Sequence, residues 1–193
     1  MALPFDSSVK VAAFGWAAML ILWCACEVAG KVEVKTQDKN VWIDIRQRGT
    51  YHPDEVWEVL TDYEELPQFI PHLDSSRVLD RTDSTIVVYQ EGSNRLLLPW
   101  TFRLNLEFIE VGDKSPKTLF FSLLEGNVKQ YKGFFEIVEQ DDGVEIHYQA
   151  FTQHRIPLPN WLLRFILRRQ LGGMMPAITS EIERRRISGP LAE

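Results

Sequence analysis

A chain of 193 residues is long enough for one domain with its own core plus an extension. Its 45% apolar and 25% charged residues are the proportions of an ordinary globular protein. A net charge of −6 speaks against a nucleic-acid surface, which would normally be basic.

The first 30 residues differ in composition from the rest. From Val11 to Cys26 the chain runs for 16 residues without a charge, shorter than the ~20 that a spanning helix needs. That length is close to the apolar region of a secretory signal, and Val28-Ala29-Gly30 offers small residues for cleavage before Lys31. Trp23, near the far end, suits a retained anchor, because Trp favours a membrane interface. A buried helix is the third reading. The only cysteines, Cys24 and Cys26, lie in this segment, and Trp23 occupies the place where a lipoprotein signal carries an aliphatic residue. Residues 1–30 are therefore expected to be a signal peptide or N-terminal membrane anchor, 31–187 the domain and 188–193 a tail. The protein would be exported, either periplasmic or tethered to the inner membrane. Cleavage would leave a chain without cysteine, with no disulfide or thiol chemistry.

Val32 and Val34 alternate with polar residues, Asp38-Lys39-Asn40 supplies a turn, and Val41, Ile43 and Ile45 alternate with Trp42, Asp44 and Arg46. Two strands are expected. Tyr51 to Pro71 then reads as two short helices. Pro53 suits a first helical position, and Asp54 and Glu55 place negative charge in the first turn. Val56, Val59 and Leu60 form an apolar stripe beside Trp57. Thr61 and Glu64 have capping-box spacing for a second helix, with Asp62 another cap residue and Pro67 and Pro71 limiting its length.

Beyond Pro71 the chain is almost continuously β. Ser76–Arg81 and Thr85–Glu91 flank a turn at Thr82-Asp83-Ser84. Phe102, Leu104, Leu106 and Phe108 alternate with Arg103, Asn105 and Glu107, the pattern of a strand buried on one face. Leu119, Phe121 and Leu123 repeat it after the turn at Gly112–Pro116. Tyr131–Gln140 and Val144–Gln153 are joined by Asp141-Asp142-Gly143, a hairpin signal. Short turns between successive strands imply an antiparallel meander. Asn160 is a candidate N-cap for a final helix, along which Leu163, Leu167, Leu171, Met174, Ile178 and Ile182 form one apolar stripe. A kink is expected near Pro176, since proline inside a helix removes a hydrogen bond.

The block Pro53-x-x-Val56-Trp57-x-Val59-Leu60-Thr61-Asp62-Tyr63-x-x-x-Pro67-x-Phe69-Ile70-Pro71 resembles the signature of START-like domains, in the branch of polyketide cyclases/dehydrases and coenzyme Q-binding proteins. Ser75–Leu79 and Lys132-Gly133-Phe134 match positions typical of bacterial members, and the likeness spans roughly residues 41 to 186. It implies an α+β helix-grip fold, START-like or Bet v 1-like. In that fold two short helices follow the first strand, and a long C-terminal helix lies over a curved antiparallel sheet, enclosing an elongated apolar cavity. Phe102, Leu104, Leu106, Leu119, Phe121, Leu123, Phe135 and Tyr148 would line the cavity from the sheet, and Leu162, Phe165 and Ile166 would close it from the helix. For any one of these residues, filling a solid core is the better explanation, since any half-buried sheet alternates this way.

The four histidines, His52, His72, His147 and His154, form no ligand spacing, so no metal and no cofactor are expected. His147, among the polar positions of its strand with Glu145 and Gln149, is expected on a solvated sheet face. No Gly-rich phosphate loop, serine nucleophile elbow or dinucleotide fingerprint is present. Arg184-Arg185-Arg186 complements the helix dipole. Trp161, Arg164 and Arg168, with Leu162 and Phe165, make a candidate membrane-contact face. The expected function is binding, with transfer or chaperoning, of a hydrophobic small molecule (a lipid, quinone or other isoprenoid) by a monomer. The alternatives are a polyketide cyclase/dehydrase-like enzyme and an envelope interaction module without ligand.

Overall fold

A computed structural model describes residues 31–94, 100–153 and 158–188. The N-terminal segment 1–30, His154 and residues 189–193 of the expected tail lie outside that range.

Eight strands form one antiparallel sheet: Lys31–Gln37 (β1), Asn40–Gly49 (β2), Leu73–Arg81 (β3), Ile86–Asn94 (β4), Trp100–Val111 (β5), Lys117–Gly126 (β6), Gln130–Gln140 (β7) and Gly143–Gln153 (β8). Their spatial order is β1-β2-β8-β7-β6-β5-β4-β3. The meander therefore runs from β3 to β8, and the β1–β2 hairpin adds itself beside β8. Asp38 turns that hairpin with φ of 54°, a conformation that Asp tolerates better than most residues. Two helices, Pro53–Thr61 (α1) and Leu66–Phe69 (α2), carry the chain from β2 across to the far edge of the sheet. They follow the second strand rather than the first, because the added hairpin strand β1 precedes them.

Register sets the faces. Ile43 sits opposite Ala150 and Ile45 opposite Tyr148, so the apolar rows of β2 and β8 share one face. That inner face carries the core, joined by Val56, Val59 and Leu60 of α1. Register shifts at Leu73/Ser75 and Val78/Asp80 in β3 and at Asn105/Leu106 in β5 interrupt the ladders. Such irregularities bend a strand and increase its twist.

Helix α1 starts at Pro53 with Asp54 and Glu55 in its first turn and has Asp62 as its C-cap, as the sequence suggests; its N-cap was not foreseen. His52 is the N-cap: its Nδ1 accepts from the Asp54 N–H (3.3 Å), and the Glu55 carboxylate accepts from the His52 N–H (2.6 Å). Thr61 does not cap α2. Its hydroxyl donates back to the Trp57 carbonyl (2.8 Å), and α2 starts after Glu65 without a side-chain cap. Pro67 lies in the first turn of α2, so it helps to start that helix rather than to end it.

The C-terminal helical segment is divided into Asn160–Leu171 (α3) and Met174–Ser188 (α4), with Pro159 rather than Asn160 at the N-cap of α3. The break falls at Gly172-Gly173. Pro176 is the third residue of α4, where its missing N–H would have had no helical partner. The interruption is therefore displaced from the proline to the glycines. α3 packs over β1, whereas α4 packs on α1. Arg185 donates to Asp62, the C-cap of α1 (2.8 Å), and to Glu181 (2.7 Å), while Arg186 pairs with Glu55. The arginine run thus ties α4 to α1 through specific partners, in addition to any effect on the dipole.

Candidate functional site

The inner face of the sheet does not meet the helices everywhere. A cavity of about 260 Å³ remains between them, lined by β2, β4–β8, the α1–β3 segment and the α3–α4 junction. Seven of the sheet residues singled out from sequence border it: Phe102, Leu104, Leu106, Leu119, Phe121, Phe135 and Tyr148. Leu123 lies on the same strand face, partly buried against the core, but outside the lining.

The helix side differs from expectation. Leu162, Phe165 and Ile166 do not line the cavity: Phe165 is 55% exposed and Ile166 is buried elsewhere. Leu167, Gln170, Leu171, Met174 and Ile178 close it instead. The physical reason is the placement of α3 over β1, which turns Leu163 and Ile166 into that contact region and leaves only the last turn of α3 above the hollow.

Phe121 is the centre of the aromatic wall. Its ring lies 4.9 Å from Tyr131, 6.1 Å from Phe108 and 6.1 Å from Tyr148, the last nearly parallel at 14°. Phe135 and Tyr148, directly paired across β7 and β8, have centroids 4.6 Å apart. Gly92 makes room at the β4–β5 end: a Cβ there would fall 2.2 Å from the His72 carbonyl oxygen and 2.3 Å from the Phe102 ring. His72 itself has φ of 67°, and its carbonyl accepts from the Ser93 N–H (3.1 Å).

Polar groups within this lining are sparse. Tyr63 is buried and its hydroxyl donates to Glu110 (2.8 Å); burial, then the carboxylate, pushes the phenol well above its ordinary range. Tyr131 and Tyr148 bond to each other, hydroxyl to hydroxyl, at 2.8 Å. Burial raises both above the ordinary phenol value, so both stay protonated at neutral pH. The Thr152 hydroxyl is committed to the Gln130 carbonyl (2.9 Å). Gln90, Gln170 and His72 complete the polar set, and no Asp, Glu, Lys or Arg occurs among the described lining residues.

His147 lies on the opposite, outer face, as its strand position suggested, yet it is not solvated. It is only 8% exposed, with Nε2 3.1 Å from Asp44 and its ring edge-on to Phe134 at 5.3 Å. Asp44 carries a second bond from Gln149, and together these hold its carboxyl below the usual range despite burial. Among the described residues no group of three or more His, Cys, Asp or Glu side chains is placed to hold a metal ion.

Sequence reasoning missed Tyr131, Leu167, Leu171, Met174 and the α1–β3 contribution of Leu60, Tyr63, Leu66 and Ile70. For Tyr131 the signal was present, since it alternates with Gly133, Phe135 and Ile137 on the inner face of β7. For Leu167, Leu171, Met174 and Ile178 the helical stripe already singled them out as core-facing.

The arrangement is that of a helix-grip fold with an internal apolar hollow. The chain belongs to the polyketide cyclase/dehydrase and lipid transport family, whose model matches residues 50–179, about two thirds of the sequence. This START-like family binds hydrophobic small molecules. Among solved structures, a STAR-related lipid transfer protein from Xanthomonas axonopodis is similar with a TM-score of 0.65 at 17% identity, over 80% of this chain and 99% of that one. The Zhui aromatase/cyclase from Streptomyces sp. R1128 gives 0.64 at 15% identity, over 76% and 95%. Human STARD10 gives 0.60 at 14% identity, over 84% and 78%. At these identities the likeness establishes the fold. No curated protein sequence matches the chain.

Proposed function

We propose that the protein binds a single hydrophobic small molecule, of the lipid, quinone or isoprenoid class, in the hollow between sheet and helices, and carries or transfers it. The observation that carries this reading is the cavity: about 260 Å³ lined by aromatic and aliphatic side chains with a handful of neutral polar groups. Binding would be driven by apolar burial at ~25 cal/mol per Å². The size suits a compact ligand or one chain of a larger one, being just below the ~300 Å³ at which ordinary ligand pockets begin. The lack of carboxylates among the described lining residues favours carriage over cyclase-type acid–base chemistry.

Mass spectrometry of small molecules co-purified with protein made in its native host tests the reading. A reproducible stoichiometric apolar ligand is expected, and a ligand-free protein would refute it.

The proposal extends to place. Residues 1–30 serve as an export signal or anchor, so that the domain works in the periplasm or beside the inner membrane. Trp161 and Phe165, 65% and 55% exposed on α3 beside Arg164 and Arg168, suit contact with an anionic membrane surface. No helix among the described residues is long and apolar enough to cross a membrane. Co-sedimentation with anionic liposomes should weaken when Arg164 and Arg168 are neutralised. Unchanged binding would refute the role of this face.

A further inference from the structure

The Tyr131–Tyr148 pair has a proton to spare. Two hydroxyls carry two protons, and the bond between them uses one. Whichever oxygen accepts keeps its own O–H, and no other partner of either hydroxyl is found among the described residues. Both rings border the cavity. Tyr131 retains intermediate exposure although its hydroxyl is deep within the protein, as befits a ring that borders a hollow.

The geometry that brings them together is local and readable. On the inner face of β7 and β8, Tyr131 is opposite Thr152, Gly133 opposite Ala150, and Phe135 opposite Tyr148. The two tyrosines thus lie diagonally, two rungs apart on that face, with a pair of very small residues on the rung between. Gly133 has no room for more: a Cβ there would lie 2.1 Å from the Gln149 carbonyl and 2.7 Å from the Phe121 ring. With no side chain on Gly133 and only a methyl group on Ala150, the two phenols reach each other beside the Phe121 ring, which packs over Gly133.

We infer that this tyrosine pair is the polar recognition point of the cavity, and that it selects apolar ligands bearing a hydrogen-bond acceptor such as a ketone, quinone or ester carbonyl. A buried O–H without an acceptor forfeits a hydrogen bond that water would supply. An acceptor on the ligand restores it, whereas a plain hydrocarbon leaves it unmade. The pair's neutrality adds to the selection, because neither phenol supplies an anion that could hold a cationic head group. This inference rests on the proposed binding function and narrows its ligand class.

Two probes that share a carbon skeleton test it: 2-acetylnaphthalene, which carries a carbonyl, and 2-ethylnaphthalene, which does not. Their dissociation constants are measured by calorimetry on the full-length chain and on the double variant Tyr131→Phe/Tyr148→Phe. The ketone-to-hydrocarbon affinity ratio should fall about fivefold in the double variant, the worth of one net hydrogen bond. Each single variant keeps one O–H and should retain more of the preference than the double. Hydrocarbon affinity that stays unchanged shows that the double variant is folded. A ratio that is the same in both proteins, with both probes bound, overturns the tyrosine assignment and leaves apolar binding intact. Failure of the unaltered protein to take up either probe overturns the binding function itself, and the assignment with it.

Discussion

Leu167→Trp separates a hollow from a solid core by the sign of its effect. Leu167 is on the last turns of α3, half-buried, with its side chain on the cavity. Replacing it with Trp adds roughly two water volumes, ~60 Å³. The cavity of about 260 Å³ can hold that and keep most of its space. At ~24 cal/mol per Å³ of void removed, the gain is at most ~1.5 kcal/mol, offset in part by lost rotamer freedom. In a filled core the same insertion would cost ~1–3 kcal/mol through displaced neighbours. Urea denaturation should therefore show stability unchanged or raised by up to about 1 kcal/mol. Calorimetry with 2-acetylnaphthalene should show affinity reduced about tenfold, ~1.4 kcal/mol, because the indole takes space the probe needs. A destabilised protein that binds the probe as before would refute the cavity as the ligand site.

Charge, hinge and packing each carry a further consequence. Glu181 is 6% exposed between Arg184 and Arg185, and its side-chain bond to Arg184 leads the causes that hold it down to about 2, against an ordinary 4.5. A depressed carboxyl contributes stability above its unfolded value and loses it as pH falls towards its folded one. Urea titrations should show up to about 3 kcal/mol lost between pH 5 and 2, with Glu55 adding in the same direction. In Glu181→Gln that acid limb should be shallower, and an identical slope would refute the linkage. Hydrogen exchange should show faster opening at the Gly172-Gly173 joint than in the Phe102–Phe108 stretch of β5, and equal protection would count against the joint as a point of movement. Gly92→Ala should cost ~1–3 kcal/mol in thermal or chemical unfolding by forcing the Phe102 ring and the His72 carbonyl aside; a neutral result would mean that neither is held tightly.

Period-2 alternation identified the inner face of β2, β5 and β6 residue by residue, because side-chain direction along a strand depends only on position. Whether that face meets another surface depends on curvature, and curvature comes from features without a composition signature. The shifts at Leu73/Ser75, Val78/Asp80 and Asn105/Leu106 are examples. For the same reason Leu162, Phe165 and Ile166 were reasonable candidates that the structure places elsewhere. The helical stripe is continuous through Gly172-Gly173 in sequence, but α3 and α4 rest on different supports, β1 and α1. His147 shows the opposite limit. Its face was legible, while its burial depends on Asp44, from a strand over a hundred residues away.

The two parts of the site then divide the work between rigid and adjustable elements. The tyrosine pair sits on β7 and β8, which are hydrogen-bonded on both sides in mid-sheet, so its position relative to Phe121 is fixed by the ladder. The helical lining comes from Leu167, Gln170, Leu171, Met174 and Ile178, residues that bracket the interruption at Gly172-Gly173. A helix break is where backbone hydrogen bonds are fewest and rotation is easiest. The joint between α3 and α4 therefore lies on the cavity wall itself, with α4 held to α1 by Arg185 and Arg186 and α3 resting on β1. Movement of α3 about that joint would change the volume of the cavity while leaving the hydroxyl pair in place. A ligand anchored by its carbonyl at the sheet could then vary in the length or bulk of its apolar part, which the joint must accommodate.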